Sequence, residues 1–398
     1  MVAGQLLPAM SASDPAASAR PLRVLHCPDV VGGLPGSLAK AERSLGIESW
    51  AVTFDPSKYD YPIDEILSPV GTPGYRRVLR RWGLLWRALS KYDIIHFNFG
   101  RTITPERTFD PANNVGLRGL MRRAYTGMFE LRDLPLLKWF GKSVFVTYQG
   151  DDLRRGDFCE TYFGERFLND LPPGMFSPES DAHKRWRLSK FMRHADGMYA
   201  VNPDLMFLLP ESARFIPYGH IDLDEWPCHP RPACGIEGPL VIHAPTHRGV
   251  KGTRYVLDAV EKLKAEGIAF RFKLVEGLTL SEARQLYEAA DLLIDQLWLG
   301  WYGGLAVELM ALGRPVICNI RQDGLKYLPA GMAATLPFIQ AEPNSITDVL
   351  REWVTTRRDE LPRKGQESRR FVDRWHNSVE VARSLVADYT TARSRRRG

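Results

Sequence analysis

RVLHCPDVVGGLPGSLAKAERSLGIESWAVTF, residues 23–54, decides the fold class. RVLHCPDV (23–30) reads as a short buried strand and VGGLPGS (31–37) as a glycine loop. SLAKAERSLG follows as a helix ended by Gly46, and ESWAVTF (48–54) as a second strand. Strand, glycine loop, helix and strand in succession open a doubly wound parallel sheet, so an α/β protein is expected.

The alternation continues outward from this stretch. YDIIHFNFG (92–100), KSVFVTYQG (142–150), ADGMYAVN (195–202) and ARFIPYG (213–219) read as further strands of the same sheet. From Pro217 to Pro239 the pattern breaks, with Pro227, Pro230, Pro232 and Pro239 scattered among charges. A second series follows, with strands at 240–245, 270–277, 292–297 and 315–320 and helices at 253–266, 281–290 and 304–312. Residues 343–357 and 366–392 read as helices. The expected organisation is a disordered tail at 1–20, a Rossmann-like domain at 21–220 and a linker at 221–239. A second Rossmann-like domain then spans 240–370, and a C-terminal helix with a basic tail, 371–398, packs back on the first. Two such halves would face a central cleft, with ligands beyond the carboxyl ends of the strands.

Composition sets the outer bounds. At 398 residues the chain is long for one core. Its 44% hydrophobic and 25% charged content is ordinary for a soluble protein. The net charge of +6, from 53 basic and 47 acidic residues, suits phosphates or an anionic membrane surface. That excess is too small to indicate nucleic acid, and no nucleic-acid motif is visible. Cys27, Cys159, Cys228, Cys234 and Cys318 are odd in number and scattered, which points to reduced thiols in a cytoplasmic protein. Cys228, His229 and Cys234 lack the spacing of a zinc site, and no metal is expected. MVAGQLLPAMSASDPAASARP (1–21) lacks the basic and apolar regions of a signal peptide, and no apolar run spans a bilayer. YRRVLRRWGLLWRALS (75–90) sets Arg76, Arg77, Arg80, Arg81 and Arg87 among Leu79, Trp82, Leu85 and Trp86. Two readings stand for it: a basic amphipathic helix lying on a membrane, or a packed helix with solvated arginines. Residues 116–140 are also basic and apolar.

DQLWLGWYGGLAVELMALGRPVIC (295–318) carries the strongest chemical signal. A strand leads into a turn holding Gly300, Gly303 and Gly304, then a helix capped by Gly313 and stopped by Pro315. Glu308 is the one charged residue between Leu305 and Leu312, and a carboxylate there needs a hydrogen-bonding partner. Glycines at a helix start admit a phosphate, and an acid one turn inside suits a diol, which together describe a sugar nucleotide. Ordinary helix packing is the alternative. HAPTHRGVKGT (243–253) brings Arg248 and Lys251 into a glycine-containing loop before a helix, either to clamp a diphosphate or as a solvated loop.

Together, HRGVKGTRYVLDAV and ADLLIDQLWLGWYGGLAVELMALGRPVIC resemble the donor half of family 4 glycosyltransferases of the GT-B fold. That family's pattern is an Arg and a Lys-Gly before a helix, then Glu-x7-Glu ahead of a Gly-x-Pro-Val strand. The resemblance implies that Arg248 and Lys251 hold the donor diphosphate and stabilise it as it leaves. It gives Glu308 the ribose, the Gly304 and Leu305 backbone the phosphates, and Glu276 the base or ribose; with no acid at Gly300, either the amides of the turn holding Gly300, Gly303 and Gly304 or another side chain holds the sugar. Gly33 would approach the diphosphate from across the cleft. YQGDDLRRGD (148–157) is similar to the family's His-Gly-x-Asp element, with Gln149 where the His stands. Asp151 becomes a candidate for the reacting hydroxyl or sugar, or else a helix cap. Gly32, His96, Asn98, Gln149 and Asp152 are placed on the acceptor side, with a core role open for His96. Lys273 and Gln296 are weaker candidates.

The implied activity is retaining transfer of a sugar from a nucleotide-sugar donor to an acceptor hydroxyl, without metal or other cofactor. Glycan, lipid-linked and small-molecule acceptors all fit, with peripheral membrane association for a lipid-linked one. Two departures stand out. Gly300 occupies the place of the family's first Glu, and Gln149 cannot act as a base. They keep open a nucleotide-sugar binder without transferase activity, or a GT-B epimerase.

Overall fold

Each half of the sequence closes its own parallel sheet. The computed structural model describes residues 20–57, 59–107, 109, 116–229 and 237–396. Nearly all of the expected tail, Cys234 and the middle of the linker lie outside the described residues. The first half contributes β1 (Arg23–Cys27), β2 (Glu48–Thr53), β3 (Glu65–Ile66), β4 (Ile94–Phe97), β5 (Ser143–Tyr148), β6 (Gly197–Ala200) and β7 (Arg214–Phe215). Their order is β3-β2-β1-β4-β5-β6-β7. The second half contributes β8 (Leu240–His243), β9 (Arg271–Leu274), β10 (Leu292–Ile294), β11 (Val316–Cys318) and β12 (Ile339–Gln340), ordered β12-β11-β10-β8-β9. Winding reverses between β1 and β4 in one sheet and between β8 and β10 in the other. A doubly wound sheet opens a crevice at such a point, at the carboxyl ends of the strands.

Both faces of each sheet are covered, so strand residues are buried in unbroken runs. Val241, Leu292, Ile294 and Ile317 pack against Val256, Val260 and Leu263 of helix Thr253–Ala265. On the opposite face Ile242, Leu293 and Val316 meet Ala306, Val307 and Leu309 of helix Gly304–Ala311. In the first half Val24, Ile94 and Phe145 are sealed by Leu34 and Leu38 and by Val381, Leu385 and Tyr389.

The strands are shorter than the apolar runs that signalled them. β1 ends at Cys27 because Pro28 has no N–H to extend the ladder. β3 and β12 have two residues each, too few to show a period. The helical stretch 366–392 is two helices, Leu361–Trp375 and Ser378–Arg395. Asn377 caps the second: its side-chain oxygen accepts from the amides of Val379 at 3.0 Å and Glu380 at 3.4 Å.

The arginine-rich segment forms helix Gly74–Lys91, and four of its arginines have partners within the protein. Arg77 pairs with Asp55 at 3.2 Å, and Arg87 with Glu65 at 2.8 Å. Arg80 and Arg81 donate to the carbonyls of Leu67 and Ile103. The exposed stripe is apolar instead, with Tyr75, Leu79 and Trp86 each more than 60% exposed. Among the described residues no helix is long and apolar enough to cross a membrane.

Candidate active site

The switch point of the second sheet lies between the loops that follow β8 and β10. His243, the last residue of β8, fixes both. Its Nδ1–H donates to the Ile294 carbonyl at 2.8 Å, and its Nε2 accepts from the Thr253 hydroxyl at 2.8 Å. Burial holds its pKa down at about 4, so the ring is neutral and this tautomer is the one that satisfies both partners. A single turn of helix, Arg248–Lys251, precedes Gly252 and sends its two cations in different directions. Lys251 turns inward, where its ammonium donates to Asp295 Oδ1 at 2.6 Å. Asp295 Oδ2 accepts from the Gly303 amide at 2.8 Å, so the pair ties the glycine turn to β10. Arg248 turns outward and makes a two-pronged bond to Glu276, at 2.9 and 2.6 Å. That guanidinium holds the Glu276 carboxyl below the usual range. Each cation of the expected diphosphate clamp thus already faces a carboxylate.

Gly300 is where the chain departs from the family pattern, and the reason is steric. Its φ of +68° is a conformation that glycine adopts freely and other residues rarely do. A Cβ there would land on the stem of Arg321, whose amide donates to the Gly300 carbonyl at 3.0 Å. The Arg321 guanidinium then pairs with Asp323 at 3.0 Å and lies over the Tyr162 ring. The volume an acidic side chain would need is filled. Gln296, buried beside this turn, donates to the Trp301 carbonyl, and Lys273 lies exposed on β9.

Between the halves lies a pocket of about 590 Å³ including its open mouth. Val275, Leu278, Ala283, Tyr287 and Leu305 supply apolar walls, Glu276 a rim and Glu308 a buried carboxylate. Tyr59 and Tyr61 close it from the first half. The Tyr61 hydroxyl faces Glu308, and burial together with that carboxylate pushes its pKa up. His220, from the segment joining the halves, brings Nε2 to 3.6 Å from Glu308 Oε1. A largely apolar slot with a buried carboxylate is an arrangement that orients a flat, diol-bearing ligand.

The first half meets this pocket only in part. Gly32 and Gly33 form the turn after β1, and a Cβ on Gly33 would stand 2.8 Å from the Tyr61 ring. Gln149 is beside them, its amide donating to the Asn98 carbonyl. Asp151 is half exposed, with Arg154 Nη1 at 3.9 Å. Three residues placed on the acceptor side are buried and already bonded within the protein. Asp152 is buried and accepts the amides of Gly150 at 2.7 Å, Gly100 at 2.9 Å and Gln149 at 3.1 Å, a backbone staple between two loops. His96 is a satisfied core residue, bonded through Nδ1 to the Tyr389 hydroxyl at 2.5 Å and through Nε2 to Thr147 at 2.8 Å. Asn98 is buried, with its amide on His26 Nδ1 at 3.1 Å.

No protein-family model matches the chain, and no curated protein does either. Solved structures do. Sucrose-phosphate synthase from Thermosynechococcus elongatus is similar with a TM-score of 0.57 at 15% identity, over 94% of this chain and 99% of that one. The catalytic domain of starch synthase IV from Arabidopsis thaliana, bound to ADP and acarbose, matches at 0.56 and 12%, over 94% and 100%. Anabaena HepE in complex with UDP-glucose matches at 0.56 and 10%, over 93% and 99%. The fold is GT-B.

Of the sequence-predicted donor residues, Glu276, Leu305 and Glu308 line the pocket, Arg248 pairs with Glu276, Lys251 reaches the Gly303 turn through Asp295, Gly304 begins the helix of Glu308, Gly33 stands against Tyr61 and Gly300 against Arg321. Asp295, Tyr61 and His220 escaped sequence reading. Asp295 had a signal, an acid at the carboxyl end of a buried strand. Tyr61 and His220 had none, because each meets Glu308 from a remote part of the chain. Among the described residues no group of three or more His, Cys, Asp or Glu is arranged to hold a metal.

Proposed function

We propose that this GT-B protein is a glycosyltransferase of the family 4 type, moving a sugar from a nucleotide donor to an acceptor hydroxyl with retention and without metal. The observation that carries the reading is the pocket itself. A buried carboxylate stands one turn inside an uncapped helix at the switch point, with two basic residues on the facing loop. Nucleoside enters the apolar slot, its ribose diol takes Glu308 from Tyr61, and the diphosphate meets the Gly304 and Leu305 amides. Arg248, exposed on the rim, exchanges its bond to Glu276 for the leaving phosphates. Lys251 contributes through the Gly303 turn that it braces with Asp295. The acceptor oxygen bonds to the anomeric carbon as the carbon–phosphate oxygen bond breaks, and the acceptor proton passes to the departing phosphate. No protein base is required for that step, which accommodates Gln149. Asp151, at the first-half lip, orients the acceptor hydroxyl.

A thermal-shift screen over UDP-, GDP- and ADP-sugars tests the reading, because a true donor stabilises the fold by mass action. We expect one base to stabilise the protein by several degrees, and transfer or slow hydrolysis to follow. In R248A we expect turnover to fall at least 100-fold with an unchanged melting temperature. No stabilisation by any nucleotide sugar would defeat the reading. Stabilisation without turnover would leave a binder and remove the enzyme.

A further inference from the structure

We propose that His220 is a direct ligand of the donor's diphosphate, delivered to the cleft by the segment that joins the two halves. This rests on the donor reading above. His220 is only 8% exposed, yet neither ring nitrogen has a hydrogen-bond partner among the described residues. A buried polar group left in that state is destabilising, so such groups are normally satisfied by protein, water or ligand. The ring is also aimed. Its Cε1 and Nε2 stand 3.4 Å from where a Cβ on Gly304 would be, against the first residue of helix Gly304–Ala311. No side chain caps that helix, and Gly303 has its own amide on Asp295.

The position of the ring separates two roles. Gly304 and Glu308 are four residues apart on one helix, about 6 Å of axial rise, which is close to the span from a ribose diol to its 5′-phosphate. With the diol on Glu308, a phosphate falls at the helix start, where the edge of His220 points. The backbone is held for this purpose at both sides. The Ser37 hydroxyl, from the helix that follows the first-half glycine turn, donates to the His220 carbonyl at 3.0 Å. Ile221 bridges to Asn377 in the second crossing between the halves. An imidazole N–H to a phosphate oxygen is a charge-assisted bond, which sets the expected size of the effect.

The test compares ligands that differ only in phosphate. Calorimetry would measure wild type, H220A and H220Q with UDP, GDP and ADP and with the matching nucleosides. Gln reaches the same point with an N–H donor, so it separates lost bonding from lost packing. We expect H220A to bind the preferred diphosphate about 10- to 100-fold more weakly, with nucleoside affinity unchanged. H220Q should recover most of the loss. Equal diphosphate affinity in wild type and H220A would overturn the proposal. So would a parallel loss for diphosphate and nucleoside, which would mean that His220 only shapes the pocket around Glu308. If H220A fails to fold, H220N, whose shorter side chain falls short of the phosphate, takes its place: a loss confined to the diphosphate supports the contact, and an unchanged affinity or a matched loss for both ligands refutes it. Failure of wild type to bind any of the three diphosphates would instead defeat the donor reading, and this proposal with it.

Discussion

Glu308 and Gly300 sit on the same segment and illustrate opposite kinds of constraint. Glu308 is defined by what reaches it, a tyrosine from one half and a histidine from the connection. Gly300 is defined by what excludes a side chain, a positive φ and the Arg321 stem. Restoring the family acid is therefore predicted to do harm. G300E should lower stability by about 1–3 kcal/mol, through left-handed backbone strain and displacement of Arg321. It should not raise transfer. A urea titration beside a turnover assay checks both, and a stable, more active G300E would show that the turn is more forgiving than its packing indicates.

At the scale of elements, helix Gly116–Phe129 buries only Gly119 and Thr126 and carries no acidic residue. Leu117, Leu120, Met121 and Met128 are exposed on it, and Trp82 of helix Gly74–Lys91 joins the two helices by an edge-to-face contact with Phe129 and by donating to Tyr125. Tyr75, Leu79 and Trp86 are exposed on helix Gly74–Lys91, so both joined helices present apolar side chains at the surface, with Arg118 and Arg123 on the second. We propose that this surface meets anionic lipid, consistent with a lipid-linked acceptor. The full chain should sediment with phosphatidylglycerol vesicles, and an L120D/M121D variant should lose at least tenfold in that binding while keeping its nucleotide affinity. Absence of sedimentation by the wild-type protein would remove the membrane from the account.

Elements also mark how far the sequence could be read. Strand and helix order followed from apolar runs and glycine stops, and the donor loops followed from a motif, because those signals are local. Tyr61 on Glu308, Tyr389 on His96 and Asp152 across two loops are contacts between distant segments, on which periodicity is silent. The arginines of helix Gly74–Lys91 mislead for the same reason. Their count is visible in sequence, but Asp55, Glu65 and two carbonyls that bind them are not local to the helix pattern.

For the whole molecule, three buried histidines, His96, His243 and His376, are held below the ordinary value by burial and make stability sensitive to acid. His376 sits where the chain crosses back between the halves, donating from Nδ1 to the Tyr218 carbonyl at 2.9 Å and accepting from the Tyr302 hydroxyl at 2.9 Å. Burial lowers its pKa to about 3, and lowers that of His243 to about 4. Between those values and the ordinary 6.5 the unfolded chain binds more protons than the folded one, so stability falls as pH falls. At pH 5 His243 and His376 should each have withdrawn about 2 kcal/mol relative to pH 7. Urea unfolding at the two pH values checks this. H376N should be less stable at pH 7 yet show a shallower decline, and an unchanged decline would assign the acid sensitivity to other groups.

The helix Ser378–Arg395 has one more consequence. Its Val381, Ala382, Leu385 and Tyr389 complete a core whose other buried members are drawn from residues 22–216. On the ribosome the first half is made early but lacks a wall until residues 378–395 emerge, by which time the second sheet has been synthesised in full. The core of the first half is therefore completed by chain that is made after the whole of the second sheet.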